Sequence, residues 1–170
     1  MKHLAYSKTK LSNVQEQDIQ PNAVDIRLDK VFRIDNESTF ELSENTKVHR
    51  GSVKVEADED GWFVLYPGQY EVVMENIISV AENEAGWVIT RSTLNRNGVF
   101  LTSGLFDSGY AGQLALVLHC SGLVRIKRGT RIGQYLCFDA DTAKLYDGSY
   151  GFDKSGNPKP EELKLYGKPT

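Results

Sequence analysis

The sequence contains few of the features that mark a secreted or membrane protein. Its only two cysteines, Cys120 and Cys137, lie in apolar runs without CxxC spacing. This favours buried free thiols in a reducing compartment over a disulfide framework. No segment approaches the roughly 20 apolar residues that span a bilayer, and residues 1–12 lack the apolar stretch of a signal peptide. We therefore expect a cytoplasmic protein without a membrane partner.

An excess of positive charge is also missing. Lysine and arginine together number 20 against 23 acidic residues, which gives a net charge of −3. Proteins that bind a nucleic-acid backbone carry basic surfaces, so we expect no nucleic-acid partner. The 170 residues are 40% hydrophobic, which fits one domain whose core needs neither a metal nor a disulfide.

Signature motifs of several enzyme classes are absent. The sequence has no Walker loop, GxGxxG or GxSxG, so P-loop, dinucleotide and α/β-hydrolase chemistry have no support. The zinc-deaminase signature is missing, and neither His119 nor Cys120 has a companion at ligand spacing. We interpret His119 as a strand histidine with a satisfied side chain and Cys120 as a packing residue.

The segments that are present predict an all-β domain. Six short runs rich in Val, Ile, Leu and aromatic residues are separated by glycine-containing turns, a pattern typical of strands. These runs are Trp62–Tyr66, Gln69–Ala81, Gly86–Thr90, Gln113–Cys120, Leu123–Lys127 and Arg131–Phe138. Only short helical turns are predicted, one near Ser92–Asn97 and one before Gln20.

The composition changes near the C-terminus. From Asp147 onward, glycine and proline are crowded among lysines and acidic residues, so we expect no continuous strand or helix there. The chain is thus predicted to consist of a catalytic domain, residues 1–150, and a flexible tail, residues 151–170. Composition alone leaves two alternatives for the tail, a frayed terminus and a functional lid.

Alternation along two predicted strands assigns side chains to faces. Val117 is predicted to point away from a core face made of the leucines of its strand, Leu114, Leu116 and Leu118. Gln134 is predicted to share a face with apolar residues of its own strand, Ile132, Leu136 and Phe138. Because a buried amide needs a partner, we expect Gln134 to bond a neighbouring strand or subunit.

Two segments carry groups suited to chemistry. Arg91–Arg96 places two guanidinium groups and two hydroxyls beside a turn, a combination that binds phosphate; ordinary surface ion pairs are the alternative. In Gly104–Gly112, Asp107 is suited to deprotonate a water and Tyr110 to pack against a sugar. The alternative is an Asp-Ser-Gly turn in which Asp107 bonds its own backbone two residues on.

Five segments, in order along the chain, resemble motifs of the dUTPase and dCTP deaminase superfamily. Gln20–Leu28 resembles the Q-P-x-S-x-D-L-R-L opening of dCTP deaminases, and Arg91–Arg96 resembles their R-S-S-L-x-R loop. Gly104–Gly112 is similar to the dUTPase motif G-L-I-D-x-x-Y-x-G, and Gly129–Gln134 to the G-x-R-I-A-Q strand. Tyr146–Gly151 resembles the Y-x-G-x-Y run that begins the deaminase C-terminal segment.

This resemblance implies a distorted β-barrel or jelly roll of the dUTPase-like β-clip type, assembled as a homotrimer. Each active site would then use more than one subunit. The resemblance also implies that Mg²⁺ arrives through the substrate's phosphates, without a direct protein ligand.

The resemblance also implies roles for individual residues. The triphosphate would be held by the loop residues Arg91, Ser92, Thr93 and Arg96. Asp107 would activate water, and Tyr110 would pack under the deoxyribose. Supporting roles would fall to Asp25 at the metal or in a nearby polar network, to Gln134 at phosphate or a neighbouring chain, and to the tail residues Tyr150, Phe152 and Lys154. Of these, Phe152 is a candidate for base stacking and Lys154 for phosphate contact.

One position favours hydrolysis over deamination. The deaminases carry a glutamate that transfers protons to the cytosine ring, and Val117 occupies that position here. Valine cannot transfer a proton, whereas Asp107 remains to direct water at the α-phosphorus. We therefore predict a dUTP diphosphatase that releases dUMP and pyrophosphate. The alternatives are a dCTP deaminase and a non-catalytic, nucleotide-binding regulatory trimer.

Overall fold

The computed structural model describes residues 1–170, the whole chain, and it consists of twelve β-strands and two short α-helices. The strands in the first half are β1 (Lys10–Leu11), β2 (Val24–Ile34), β3 (Glu41–Leu42), β4 (Lys47–Val48), β5 (Ser52–Val55) and β6 (Trp62–Leu65). The second half contains β7 (Gly68–Ser79), β8 (Glu84–Thr90), α1 (Ser92–Asn95), β9 (Val99–Thr102), β10 (Ala111–Cys120), β11 (Val124–Lys127), β12 (Arg131–Asp139) and α2 (Pro160–Tyr166). Two 3₁₀ turns, Leu4–Tyr6 and Glu16–Asp18, lie near the N-terminus.

Most strands belong to one antiparallel sheet. Its strand order is β8-β12-β2-β7-β10-β9, with β1 added beside β7 and β5 beside β2. The pairs β11–β6 and β3–β4 form two small separate ribbons. The predicted all-β class is therefore confirmed.

The two ends of the sheet path, β8 and β9, come together through side chains. The Thr90 hydroxyl accepts the Leu101 amide proton at 2.7 Å, and the Ser103 hydroxyl accepts that of Val88 at 3.2 Å. These bonds satisfy backbone donors at sheet edges that would otherwise lie open. The sheet is thus nearly closed into a distorted barrel, as predicted.

A single cluster of 23 buried hydrophobic residues fills the barrel. As predicted for β10, its buried face is made of leucines, while Val117 lies half-buried on the opposite face. The leucines Leu114, Leu116 and Leu118 are 0%, 3% and 0% exposed. Burial of both cysteines as free thiols was also predicted correctly.

The face predicted for Gln134 was correct with respect to Leu136 and Phe138, which lie half-buried beside it, but wrong with respect to Ile132, which is buried. The pairing of β12 with β2 shifts register between Arg131 and Gly133, and such an irregularity reorients the side chains on either side of it. Ile132 therefore remains in the core, whereas Gln134 lies on the half-buried face. A strict period of two cannot anticipate a bulge.

The strand β2 was not among the predicted strands, although it lies in the middle of the sheet between β12 and β7. Charged residues occupy many of its positions, which lowers its apparent hydrophobicity. The alternation of Val24, Ile26 and Leu28 with charged residues is nevertheless a strand pattern, and all three are buried.

The prediction that the C-terminal tail forms no helix was wrong. Pro160 begins α2, where a missing amide proton costs nothing and the fixed φ suits a helix. Two acidic residues follow in the first turn, which the helix dipole favours. Gly167, at φ 68°, ends the helix. Proline and glycine thus bracket a helix here and do not prevent one.

Candidate functional site

A buried carboxylate organises one end of the sheet. Asp25 on β2 is 0% exposed, and Gln134 on the paired strand β12 donates to it at 3.1 Å. Gln20 donates at 3.2 Å. Two guanidinium groups, those of Arg91 and Arg131, each lie 3.3 Å from the Asp25 Oδ2 atom. We call Asp25, Arg91, Arg131 and Gln134 the arginine cluster.

A second buried acid extends this cluster. Asp18 is 0% exposed, receives two hydrogen bonds from Arg27, at 2.5 and 3.0 Å, and lies 4.0 Å from Arg131. Burial alone would raise the pKa of Asp18, but the bonds and charge of Arg27 hold it below its ordinary value. Two carboxylates therefore fix three guanidinium groups in place, and the cluster keeps a net positive charge.

The helix α1 presents further donors beside the cluster. Arg91 keeps strand geometry, with φ −68° and ψ 141°, and the next residue begins the helix. Ser92, Thr93 and Arg96 are exposed, and none of their side chains takes part in an ion pair with the protein. The predicted phosphate-binding loop thus lies on the surface next to the arginine cluster.

Asp107 lies at a separate cavity of about 360 Å³. Aromatic residues dominate its walls, and they are Phe106, Tyr110, Tyr146, Tyr150 and Tyr166. Tyr110 is 9% exposed and donates a hydrogen bond to the Gln113 carbonyl at 3.0 Å. Burial raises the pKa of Tyr110 far above its ordinary value, so its phenol stays neutral. We call this space the aromatic cavity.

The alternative interpretation of Asp107 as a residue that bonds its own turn was wrong. The turn is closed by backbone, since the Tyr110 amide donates to the Asp107 carbonyl at 3.0 Å and Gly109 takes φ 84°. The Asp107 side chain is exposed and forms neither a hydrogen bond nor an ion pair within the chain. Its carboxylate is therefore free to hold a ligand or a water at the cavity.

The C-terminal segment forms part of the cavity wall. Glu162 of α2 is 0% exposed and accepts two backbone amide protons, those of Gln113 and Gly151, at 3.0 Å each. Close packing accompanies these bonds, because a Cβ at Gly112 would lie 2.7 Å from the Gly151 Cα atom. The carboxylate of Glu162 thus joins helix, strand and tail beside the cavity.

The other tail residues singled out from the sequence lie at different places. Tyr150 lines the aromatic cavity, and its hydroxyl bonds His49 at 3.1 Å and Lys47 at 3.2 Å. Phe152 forms an isolated bridge with Pro158, and Lys154 is exposed in the turn between them. Neither Phe152 nor Lys154 lines the cavity.

The arginine cluster and the aromatic cavity are separated within one chain. Phe106 pairs with Gly86, at the beginning of β8, whereas Arg91 follows the end of that strand. Five residues of strand at about 3.3 Å each separate Gly86 from Arg91, which is about 16 Å. The structure therefore brings Asp25, Arg91 and Gln134 together, and Asp107 with Tyr110, but it does not join the two groups.

Sequence reasoning missed Arg131 and Glu162. Arg131 stands inside the Gly129–Gln134 motif, so its place in that motif was an available signal. No local sequence signal indicated Glu162, because its partners Gln113 and Gly151 are distant in the sequence.

The chain contains no group of three or more His, Cys, Asp or Glu side chains placed to hold a metal ion. None of its helices is long and apolar enough to cross a membrane.

The fold matches that of a solved all-β structure. The crystal structure of 2'-deoxycytidine 5'-triphosphate deaminase from Agrobacterium tumefaciens superposes with a TM-score of 0.58 at 20% sequence identity. The match covers 79% of this chain but only 44% of that one, so this chain spans less than half the length of the deaminase. The likeness defines the barrel class and nothing finer.

The sequence comparison is more specific. The model of the dCTP deaminase-like family matches residues 1–140, and the chain belongs to this family. A probable deoxyuridine 5'-triphosphate nucleotidohydrolase of Halobacterium salinarum is 32% identical over 145 residues, 84% of this chain and 88% of that protein. The deoxyuridine 5'-triphosphate nucleotidohydrolase of Methanocaldococcus jannaschii is 29% identical over 85% of this chain and 94% of its own length. The resemblance found in the motifs is confirmed.

Proposed function

We propose that this protein hydrolyses dUTP to dUMP and pyrophosphate. The observation that carries the proposal is the unpaired carboxylate of Asp107 at the edge of an aromatic cavity large enough for a nucleoside. The names of the archaeal relatives support the same substrate. Hydrolysis of a phosphoanhydride needs an oriented water and groups that stabilise phosphate charge.

The residues divide these tasks between them. Asp107 accepts a proton from the attacking water and directs its oxygen at the α-phosphorus. Tyr110 offers a neutral, buried ring for the sugar to pack against. Arg91, Ser92, Thr93 and Arg96 bind the phosphates, while Asp25 and Gln134 hold the arginine cluster in position. Tyr150 forms part of the cavity wall. Phe152 and Lys154 do not line the cavity, so they would contact the nucleotide only after the tail rearranges.

The separation of the two groups supports a site that is shared between subunits, and we propose the homotrimer that the resemblance implies. A gap of about 16 Å along β8 keeps Arg91 of one chain away from Asp107 of the same chain. An apolar surface beside the arginine cluster supports association with further copies, since Trp87 is 49%, Ile89 38% and Phe100 43% exposed. We infer that each site combines Asp107 of one subunit with the Arg91–Arg96 loop of another.

We also propose that Mg²⁺ binds together with the nucleotide substrate. The ion would take its oxygen ligands chiefly from phosphates and water, as Mg²⁺ commonly does in nucleotide sites. When bound there, it neutralises charge on the triphosphate. Asp25 is occupied by its four protein donors, so it supports such a site through the arginines.

Deamination of dCTP and regulation without catalysis fit less well. Val117 supplies no proton donor where the deaminases have a glutamate, and binding alone does not need a free Asp107. The two buried thiols and the net charge of −3 agree with a cytoplasmic protein that has no nucleic-acid partner.

The test is an assay of the common deoxynucleoside triphosphates with separate readouts for pyrophosphate and ammonia. We expect pyrophosphate from dUTP with Mg²⁺, and a loss of at least about 100-fold in kcat in Asp107→Asn, because general-base catalysis contributes that much. Asp60→Asn, an exposed carboxylate elsewhere, is the matched control and keeps full activity. Intact dUTP at high enzyme concentration contradicts the proposal, and ammonia from dCTP supports the deaminase.

Shared sites are tested by complementation. Asp107→Asn and Arg96→Ala are each expected to be nearly inactive, and the two are then co-expressed. In randomly mixed trimers about a quarter of the sites combine an intact Asp107 with an intact Arg96 from the neighbouring subunit, so about a quarter of wild-type activity returns. No recovery means that both residues serve a site within one chain.

A further inference from the structure

Next to the aromatic cavity lies an acidic side chain, Glu71, that has no role in the proposed hydrolysis. Glu71 of β7 lies directly opposite Val117 of β10 in the sheet register, and it is half-buried. The Tyr166 hydroxyl donates a hydrogen bond to the Glu71 Oε1 atom at 2.8 Å. Glu71 lines a second cavity of about 490 Å³, which shares Tyr150 and Tyr166 with the aromatic cavity. Tyr166 therefore stands in the wall between the two spaces.

The strand β10 orders the groups along the aromatic cavity. Asp107 precedes the strand, Ala115 lines the cavity from its middle, and Val117 is the next residue on the same face. Tyr166 bonds the residue opposite Val117, so it closes the end of the cavity away from Asp107. If the α-phosphate lies at Asp107 and the sugar at Tyr110, as the proposed function requires, the base points toward Tyr166.

The position of Tyr166 is fixed by several contacts. The Lys30 ammonium group donates to the carbonyls of Tyr166, at 3.3 Å, and Lys168, at 2.6 Å. The side-chain amide of Gln113 donates to the Gly167 carbonyl at 3.3 Å. Because the backbone on both sides of the ring is anchored, the hydroxyl is presented at one place.

The hydroxyl of Tyr166 can offer a ligand only an acceptor. Burial, followed by the charge of Glu71, raises the pKa of Tyr166 far above its ordinary value, so the proton stays on the phenol. That proton is directed at Glu71, and the oxygen lone pairs remain for the cavity. Uracil and thymine carry a proton on ring atom N3, whereas cytosine has a lone pair there.

We propose that Tyr166, held by Glu71, selects uracil over cytosine by accepting a hydrogen bond from the N3–H group of the base. Tyr166 is thus a specificity-determining residue and Glu71 a positioning residue. This inference rests on the proposed function for the placement of the nucleotide. A buried acceptor that meets the lone pair of cytosine leaves two groups unpaired, and sites of this kind discriminate strongly.

The test measures equilibrium binding of dUMP, dTMP and dCMP by titration calorimetry, without any turnover. We expect the wild-type protein to bind dUMP at least about tenfold more tightly than dCMP, which corresponds to about 1.4 kcal/mol. In Tyr166→Phe, the affinities for dUMP and dTMP fall by the same factor, about tenfold, while that for dCMP changes less than about twofold. Glu71→Gln shifts the same ratio in the same direction by a smaller factor, because a glutamine amide can either accept from the phenol or donate to it, so the phenol proton is no longer held in one direction.

Tyr66→Phe is the matched control, since Tyr66 is 68% exposed and lines neither cavity. It leaves all three affinities unchanged. The inference is overturned if Tyr166→Phe lowers the affinities for dUMP and dCMP equally, which indicates a packing role, or if the wild type does not discriminate between them. Pyrophosphate release from dUTP is scored separately, so a protein that discriminates without hydrolysis refutes only the proposed function.

Discussion

The amide of Gln134 donates to the carboxylate of Asp25 across two paired strands at 3.1 Å. This bond satisfies a polar group on a sheet face that otherwise carries apolar residues. It also fixes one oxygen of Asp25, so that the other faces the guanidinium groups of Arg91 and Arg131. The orientation of both arginines therefore depends on the hydrogen bond between Gln134 and Asp25.

Replacement of Asp25 tests how much its carboxylate stabilises the arginine cluster. In Asp25→Asn the two guanidinium groups lose their charged partner, and removal of one member of a buried pair costs about 3 to 5 kcal/mol. We expect about 3 kcal/mol, the low end, because the arginine side chains are each 29% exposed. Denaturant unfolding measures the loss, with Asp60→Asn as the exposed control. Equal stability of the two variants contradicts the structural role.

The tail contact is tested through Glu162. Glu162→Gln keeps the volume of the side chain but replaces one acceptor oxygen by a donor, so one of the amides of Gln113 and Gly151 loses its partner. An unsatisfied buried donor costs about 1 to 3 kcal/mol, enough to release the tail. We expect trypsin to cleave after Lys154 and Lys164, neither of which precedes a proline, at least about tenfold faster than in wild type.

Glu161→Gln is the matched control for this experiment, because Glu161 precedes Glu162 on α2 and is less buried. Its cleavage rate stays at the wild-type value. Gly151→Ala breaks the same contact from the other side, since a Cβ there would clash with the Ala111 carbonyl. Unchanged cleavage in both Glu162→Gln and Gly151→Ala refutes the contact.

Glu84 predicts a pH dependence of stability. Burial alone would raise its pKa, but hydrogen bonds from Lys2, Ser7 and Thr9 lower it well below the ordinary value of 4.5. The unfolded chain therefore binds the proton more readily, and the stabilisation is present above about pH 5 and is lost as the pH falls below it. Glu84→Gln is expected to unfold more easily than wild type at pH 7, and the difference narrows at pH 3.

Unfolding curves at both pH values check this expectation. The exposed Glu82→Gln serves as the control and follows wild type throughout. A gap between Glu84→Gln and wild type that widens toward pH 3 means that the sign of the linkage is wrong.

The two thiols are expected to be inert in the folded protein. Burial raises the pKa of Cys120 to about 11 and also raises that of Cys137, and thiolate is the reactive form. A disulfide reagent at pH 8 should modify neither thiol in the native state and both after denaturation. Rapid reaction of Cys120 in the native protein contradicts its burial.

Local pattern accounts for much of what the sequence predicted. The strands around Val117 and Gln134 carry apolar side chains at strand spacing, and the turn at Asp107 contains a glycine that takes positive φ. The motifs also indicated Asp25, Arg91 and Gln134, which the fold brings together. These are properties of short segments, which the sequence displays directly.

Long-range contacts account for what was missed. Glu162 meets Gln113 across 49 residues of sequence, and Tyr166 meets Glu71 across 95. A run of prolines and glycines suggested an irregular tail, yet the stability of α2 comes from these tertiary contacts and from a buried acid that composition assigns to the surface. The register shift near Ile132 likewise depends on the partner strand.

The distance along β8 from Gly86, which pairs with Phe106, to Arg91 bears on how activity varies with enzyme concentration. If each site combines Asp107 of one subunit with the Arg91–Arg96 loop of another, as proposed, a lone protomer has no complete site. Specific activity should then decline when the enzyme is diluted below the dissociation constant of its assembly, and it should recover on reconcentration. Catalysis would in this way report on the abundance of the protein itself.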